Sequence, residues 1–192
     1  MIDEALLDAA VVALQDVGWK GLTLERVANA AGISRVTLWR QGITLEQIIE
    51  GLLIRLTNDY RAALWPILTA EGNGWTRLVA ALQALCGVAE RHLPLLVATD
   101  TIFHEAHILT RTHFTEPLAR LLEDGMGDGS IRKVDRIEMA SVLFNTVCWT
   151  YVHMRAKHEW TQERISSLLL DLIMEGLTPH SPIEEKGNQH EQ

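Results

Sequence analysis

An all-α fold follows from three features of the 192-residue sequence. Apolar residues recur three and four apart through nearly the whole chain, strand-like alternation is scarce, and glycine or proline punctuates the periodic stretches at helical lengths. The pattern divides the chain into a three-helix helix-turn-helix unit over residues 1–50, a helical bundle over 51–178 and an aperiodic tail over 179–192.

The first helix spans 2–17, with Ile2, Leu6, Ala10, Ala13, Leu14 and Val17 on one face. Gly18 stands where it should stop, and Gly21 extends the turn. Thr23 caps a short helix over 24–31; Gly32 ends it, Ile33 serves as an apolar plug, and Ser34 caps the next helix over 35–40. Gln41-Gly42-Ile43 breaks that one. Thr44-Leu45-Glu46-Gln47 reads as a capping box for a helix running to about Trp65, where Pro66 disturbs it.

Glu71-Gly72-Asn73-Gly74 marks the clearest boundary. Helices are then expected at 76–91, 94–109, 112–125, 135–158 and 162–177. They are separated by Pro94, by the Gly125-Met126-Gly127-Asp128-Gly129 turn and by Thr161, with Asp135 and Glu138 as a cap pair for the longest. The tail after Thr178 has two prolines and no periodicity, the signature of disorder.

Composition narrows the function. With 47% apolar and 22% charged residues the chain can bury a core without staples. Cys86 and Cys148 both sit in apolar runs and read as reduced, buried thiols, and no cysteine cluster suggests zinc. The acidic opening Met1-Ile2-Asp3-Glu4 lacks a secretory pattern, and no stretch approaches the roughly 20 apolar residues of a membrane span. A cytoplasmic protein without membrane contact is expected. The net charge of −8 argues against a broad nucleic-acid surface, yet phosphate contacts need only a local basic face.

The informative unit is 23–40. A helix-turn-helix needs a small residue at the helix contact, a glycine for the turn and an apolar residue locking the second helix; Ala28, Gly32 and Ile33 fill these roles. The second helix offers Arg35, Val36, Thr37, Trp39 and Arg40 to base edges or phosphates: the arginines suit guanine, Thr37 a base or a phosphate, Val36 a thymine methyl. Amides at the helix starts by Thr23 and Thr44 are natural phosphate seats. Taken alone, 23–40 also fits an ordinary helical hairpin of a bundle.

From Leu6 to about Leu53 the sequence resembles the DNA-binding domain of the TetR family of repressors. The matching pieces are Leu7-Asp8-Ala9-Ala10, Val17-Gly18-Trp19, Leu22-Thr23-Leu24-Glu25-Arg26-Val27-Ala28, Ala31-Gly32-Ile33-Ser34, Thr37-Leu38-Trp39-Arg40 and Leu45-Glu46-Gln47-Ile48. The resemblance implies that Thr23, Ser34, Thr37, Trp39 and the helix start at Thr44 meet the DNA backbone, while Arg35, Val36 and Arg40 approach bases. Three departures stand out: Gln41 and Gly42 replace an aromatic pair, Leu45 replaces a phosphate-reaching lysine, and the opening residues replace a basic arm. Weaker backbone attraction is therefore expected, with reliance on residues such as Gln41 and Arg55, and Gly42 should leave the exit of the recognition helix less rigid.

The resemblance also implies that the last two helices build a homodimer interface, here through Ile165, Leu168, Leu169, Leu172 and Ile173. Phe103, His104, His107, Phe114, Phe144, Trp149 and His153 are candidates to surround a small, largely apolar effector of unknown identity, although a core hydrogen bond is the commoner role for any one of these histidines. His104 and His107 lie one turn apart, but no second ligand cluster supports a metal, no cofactor motif is present and no nucleophile motif suggests an enzyme. The expected function is a homodimeric repressor of a palindromic or pseudo-palindromic operator in double-stranded DNA, released by ligand. The alternatives are a ligand-independent DNA-binding regulator and a helical interaction protein.

Overall fold

The computed structural model describes residues 2–103 and 112–178. Among the described residues the chain forms nine helices and no strand. They are α1 (Glu4–Gly21), α2 (Leu24–Ala30), α3 (Arg35–Arg40), α4 (Leu45–Leu68), α5 (Gly74–Arg91), α6 (Leu93–Phe103), α7 (Thr112–Asp128), α8 (Arg136–His158) and α9 (Gln162–Leu177). None of them is long and apolar enough to cross a membrane. The expected disorder after Thr178 concerns residues outside the described ones.

The local cap signals act as their chemistry predicts. Thr23, Ser34, Asn73 and Thr161 each accept a hydrogen bond from the backbone N–H three residues on, and Asp135 accepts from both Ile137 and Glu138. Thr44 and Gln47 form the full reciprocal box, with Thr44 N donating to Gln47 Oε1 at 3.1 Å and Gln47 N to Thr44 Oγ1 at 3.3 Å.

Two glycine positions depart from the expectation. Gly18, in the left-handed region at φ 64°, kinks α1 without ending it, and helical structure resumes to Gly21. The predicted 125–129 turn is instead the last turn of α7, which passes through Gly125 and Gly127. Gly125 is there for proximity: a Cβ on Gly74 would lie 2.2 Å from Gly125 backbone, and one on Gly125 would strike Ile131 at 2.4 Å. The start of α5 therefore lies directly on the end of α7, and the Asp128 carboxylate accepts from Gly74 N at 2.6 Å.

One hydrophobic core runs from head to body. In the head, Leu6, Leu7, Ala10 and Leu14 of α1 meet Val27, Ala28, Leu38, Ile48 and Leu52. Helix α4 continues unbroken across residue 50 and carries its buried face on through Leu56, Tyr60 and Leu64 into the body, where it packs on α5 and α7. Helix α6 packs back onto α1, so head and body touch at a second place. Cys86 and Cys148 are buried free thiols, as their apolar settings predict, and burial pushes the Cys148 thiol up to about 12.

Candidate nucleic-acid interface and sensing grooves

Helix α3, the candidate recognition helix, is bracketed by two glycine-terminated ends. At the end of α2, Gly32 takes φ 67° while Ile33 N donates to Ala28 O at 3.0 Å and Gly32 N to Asn29 O at 3.1 Å. At the end of α3, Gly42 takes φ 70° while Ile43 N donates to Leu38 O and Gly42 N to Trp39 O, both at 3.0 Å. Each is a Schellman motif, which fixes the chain direction after the helix. Gly42 therefore defines the exit of α3.

Leu38 is the sole buried residue of α3 and packs in the same core as Val27 and Ala28. It is the lock expected of Ile33, which instead sits partly exposed as the apolar residue following the glycine. With Leu38 inward, Arg35, Val36, Thr37, Trp39 and Arg40 all face solvent, as do Ser34, Gln41, Thr23 and Thr44. The Thr23, Ser34 and Thr44 oxygens each accept a cap bond, so their hydroxyl hydrogens are what they offer an outside acceptor; the Ser34 and Thr37 hydroxyls also meet at 2.9 Å.

The charges around this face are sparse. Residues 1–50 hold four Lys and Arg against seven Asp and Glu. Arg55, expected to support the attraction to DNA, lies 2.7 Å from Asp8 and 3.3 Å from Glu4, which ties α4 to α1. Arg26 lies 3.8 Å from Asp16. Among the described residues Arg35 and Arg40 have no acidic partner. Leu45, where a lysine was anticipated, is half-buried against the head core.

In the body the aromatic candidates separate. Phe114 and Phe144 form a packed cluster with Tyr60 of α4, at ring distances of 5.0, 5.5 and 6.4 Å, and the Tyr60 hydroxyl donates to Phe114 O. Trp149 and His153 lie elsewhere, on an open groove of about 420 Å³ between α6 and α8 that also includes Val97, Val152 and Lys157. A second groove, of about 670 Å³ between α5 and α9, is lined by Trp75, Val79, Ser166, Leu170 and Met174 among others. Phe103 ends the described part of α6, and His104 and His107 lie outside the described residues. Among the described residues no three His, Cys, Asp or Glu side chains gather as a metal site.

The dimer candidates also divide. Ile165 and Leu169 are buried in the protomer's own core, at 2% and 5% exposure, and do not belong to an outward face. Leu168 and Leu172 do, at 49% and 69%, and Ile173 is half-buried. Ile137 and Val142 of α8 are exposed apolar residues that the sequence did not single out.

Two polar constructions were likewise missed. Glu90 of α5 accepts from the Tyr151 hydroxyl at 2.7 Å and from Arg155 Nε at 2.8 Å, and the Arg155 guanidinium holds its carboxyl below the usual range. His92, between α5 and α6, is buried with Nε2 2.8 Å from Asp59 Oδ2 of α4. Neither has a local sequence signature, since the partners lie 61 to 65 and 33 positions apart.

With this geometry in place, similarity to known proteins adds a context. No family model matches the chain. The HTH-type transcriptional repressor KstR2 of Rhodococcus jostii (strain RHA1) is 23% identical over 188 residues, covering 92% of this chain and 91% of that protein. The TetR family transcriptional regulator PfmR from Thermus thermophilus superposes with a TM-score of 0.75 at 21% identity, over 92% of this chain and 100% of the other. AibR, solved in complex with isovaleryl coenzyme A and operator DNA, gives a TM-score of 0.70 at 20% identity over 92% and 98%.

Proposed function

We propose that this chain, TetR-type in its fold and in the sequence of its head, is a DNA-binding transcriptional regulator: a homodimeric repressor released from its operator by a small, largely apolar ligand. The observation that carries the reading is α3 itself, a short helix held by Leu38 alone, with Arg35, Val36, Thr37, Trp39 and Arg40 all presented outward. Side chains so placed enter a major groove, where Arg35 and Arg40 suit guanine edges and the Thr23, Ser34 and Thr44 hydroxyls suit phosphate oxygens.

A single small head binds DNA weakly, and pairing two heads multiplies the affinity. The exposed Leu168 and Leu172 of α9, with Ile137 and Val142 of α8, supply an apolar face for that pairing. The open groove bearing Trp149 and His153 is the proposed effector site. Ligand binding there shifts the population toward an arrangement in which the heads no longer match successive major grooves, about 34 Å or a multiple apart. That a similar chain was solved with both isovaleryl coenzyme A and operator DNA supports a ligand-responsive reading. One observation favours a second reading, a regulator without a small effector: the Tyr60, Phe114 and Phe144 rings fill the space between α4, α7 and α8.

The test is a salt titration of the full-length protein on DNA flanking its own gene, with Arg35→Ala alongside. Selective binding with two protomers per site is expected, and Arg35→Ala should relax base preference at a cost of about 1–3 kcal/mol. An unaltered preference in Arg35→Ala would remove Arg35 as a base-reading residue. Release of the bound DNA by a small, largely apolar compound that binds the protein would favour the first reading; such a compound binding with operator affinity unchanged would favour the second.

A further inference from the structure

We infer that α3 selects its sites in part through an apolar stripe that reads thymine methyl groups, beside the guanine contacts of its arginines and adding base selectivity that attraction to phosphate cannot supply. The inference rests on the DNA-binding reading above. Ile33, Val36 and Trp39 follow one another at three-residue spacing, leading into α3 and along one side of it, with exposures of 37%, 55% and 76%. Nothing among the described residues covers them. A solvated valine and tryptophan side by side on a six-residue helix are otherwise an aggregation hazard, so their occupant should be both apolar and regularly available.

The charges beside the stripe choose that occupant. Arg35 and Arg40 flank it without acidic partners among the described residues, so whatever docks here carries negative charge around an apolar feature. The major groove of duplex DNA has that composition, and its one apolar feature is the 5-methyl group of thymine. The exposed apolar residues that a second copy offers, Leu168 and Leu172 of α9, are taken up by the pairing face proposed above.

The phosphate route is correspondingly thin. The head is net acidic, Arg55 and Arg26 lie against carboxylates, and half-buried Leu45 offers no cation at the start of α4. Each phosphate neutralised contributes about −0.9 to the slope of log K against log salt. With Lys20, Arg35 and Arg40 lacking acidic partners among the described residues of each head, a dimer should therefore show a slope no steeper than about −5.

The experiment starts from duplexes selected out of a random pool by the full-length protein. The preferred site is then resynthesised with deoxyuridine in place of thymidine, one position at a time, which removes the methyl and leaves pairing and charge intact. One or two positions per half-site should lose about fourfold in affinity per methyl. Val36→Ala, at an exposed position that leaves the core untouched, should bind the thymidine and deoxyuridine sites equally. A selective site that is indifferent to deoxyuridine everywhere, or a methyl effect that survives in both Val36→Ala and Trp39→Ala, overturns the inference and leaves DNA binding standing. Failure to select any sequence overturns the DNA-binding reading and the inference with it.

Discussion

At the scale of single residues, Gly42 shows how one backbone angle sets the reading face. Its φ of 70° lets Ile43 and Gly42 return hydrogen bonds to Leu38 and Trp39, which closes α3 and aims the chain into the Thr44 cap. A side chain there meets no neighbour, so the whole penalty of Gly42→Ala is conformational, about 1–2 kcal/mol for a left-handed L-residue. A lowered thermal midpoint with an unchanged buried core is the expected result; an unshifted melt would mean that the turn tolerates another conformation. Cap residues such as Thr23, Ser34, Thr44 and Asp135 were legible in the sequence because their partners lie within three positions. Burial partners were not. Periodicity marks Ile33, Leu38, Ile165 and Leu169 alike as apolar, and only the fold decides that Leu38 locks the recognition helix and that Ile165 and Leu169 serve the protomer's own core.

Among helices, the joint of α4, α5 and α6 carries a polar contact between buried His92 and Asp59. His92 is held in its neutral form, its pKa lowered by burial against the opposing pull of Asp59, while Arg55 and Arg91 add to the lowering. Because the carboxylate only accepts, the neutral imidazole donates from Nε2. An unfolded chain takes up that proton around the ordinary histidine value of 6.5, and the folded chain only at lower pH. The contribution of His92 to stability is thus complete above about pH 6.5 and is lost as the pH falls below it. Denaturation measured from pH 7.5 downward should show this slope, and His92→Gln, which keeps a donor for Asp59 and removes the titration, should flatten it. A slope identical in the variant would assign the pH dependence to other groups. Helix order and type were legible from spacing alone. The end of α7 was misplaced because glycine signals both helix termination and close approach, and at Gly125 the second meaning applies.

For the molecule as a whole, the exposed apolar positions on α8 and α9 bear on assembly. Leu172 and Leu168 contribute nothing to the protomer core, so charging them should leave the fold intact and disturb only association. Leu168→Glu combined with Leu172→Glu should sediment as a monomer with a melt near that of the parent, and DNA affinity should fall by orders of magnitude as one head is left to bind alone. A double variant that remains dimeric would place the interface elsewhere. The proposed effector site was the least legible part of the sequence, since aromatic and histidine content says nothing of which rings fill space and which line a groove: Phe114 and Phe144 pack together with Tyr60, while Trp149 and His153 line the groove between α6 and α8.

Helix α4 is one continuous rod of 24 residues, about 36 Å from end to end at 1.5 Å per residue. Its far end is gripped by α5 and α7, and its near end, braced through Arg55 to α1, carries the head. A tilt of about 5° at the gripped end sweeps the near end through about 3 Å, close to the 3.4 Å step between base pairs. An effector of the proposed kind therefore has no need to unfold the head: an angular change small enough to pass for thermal relaxation among packed side chains would put each proposed reading helix out of register by about a base pair.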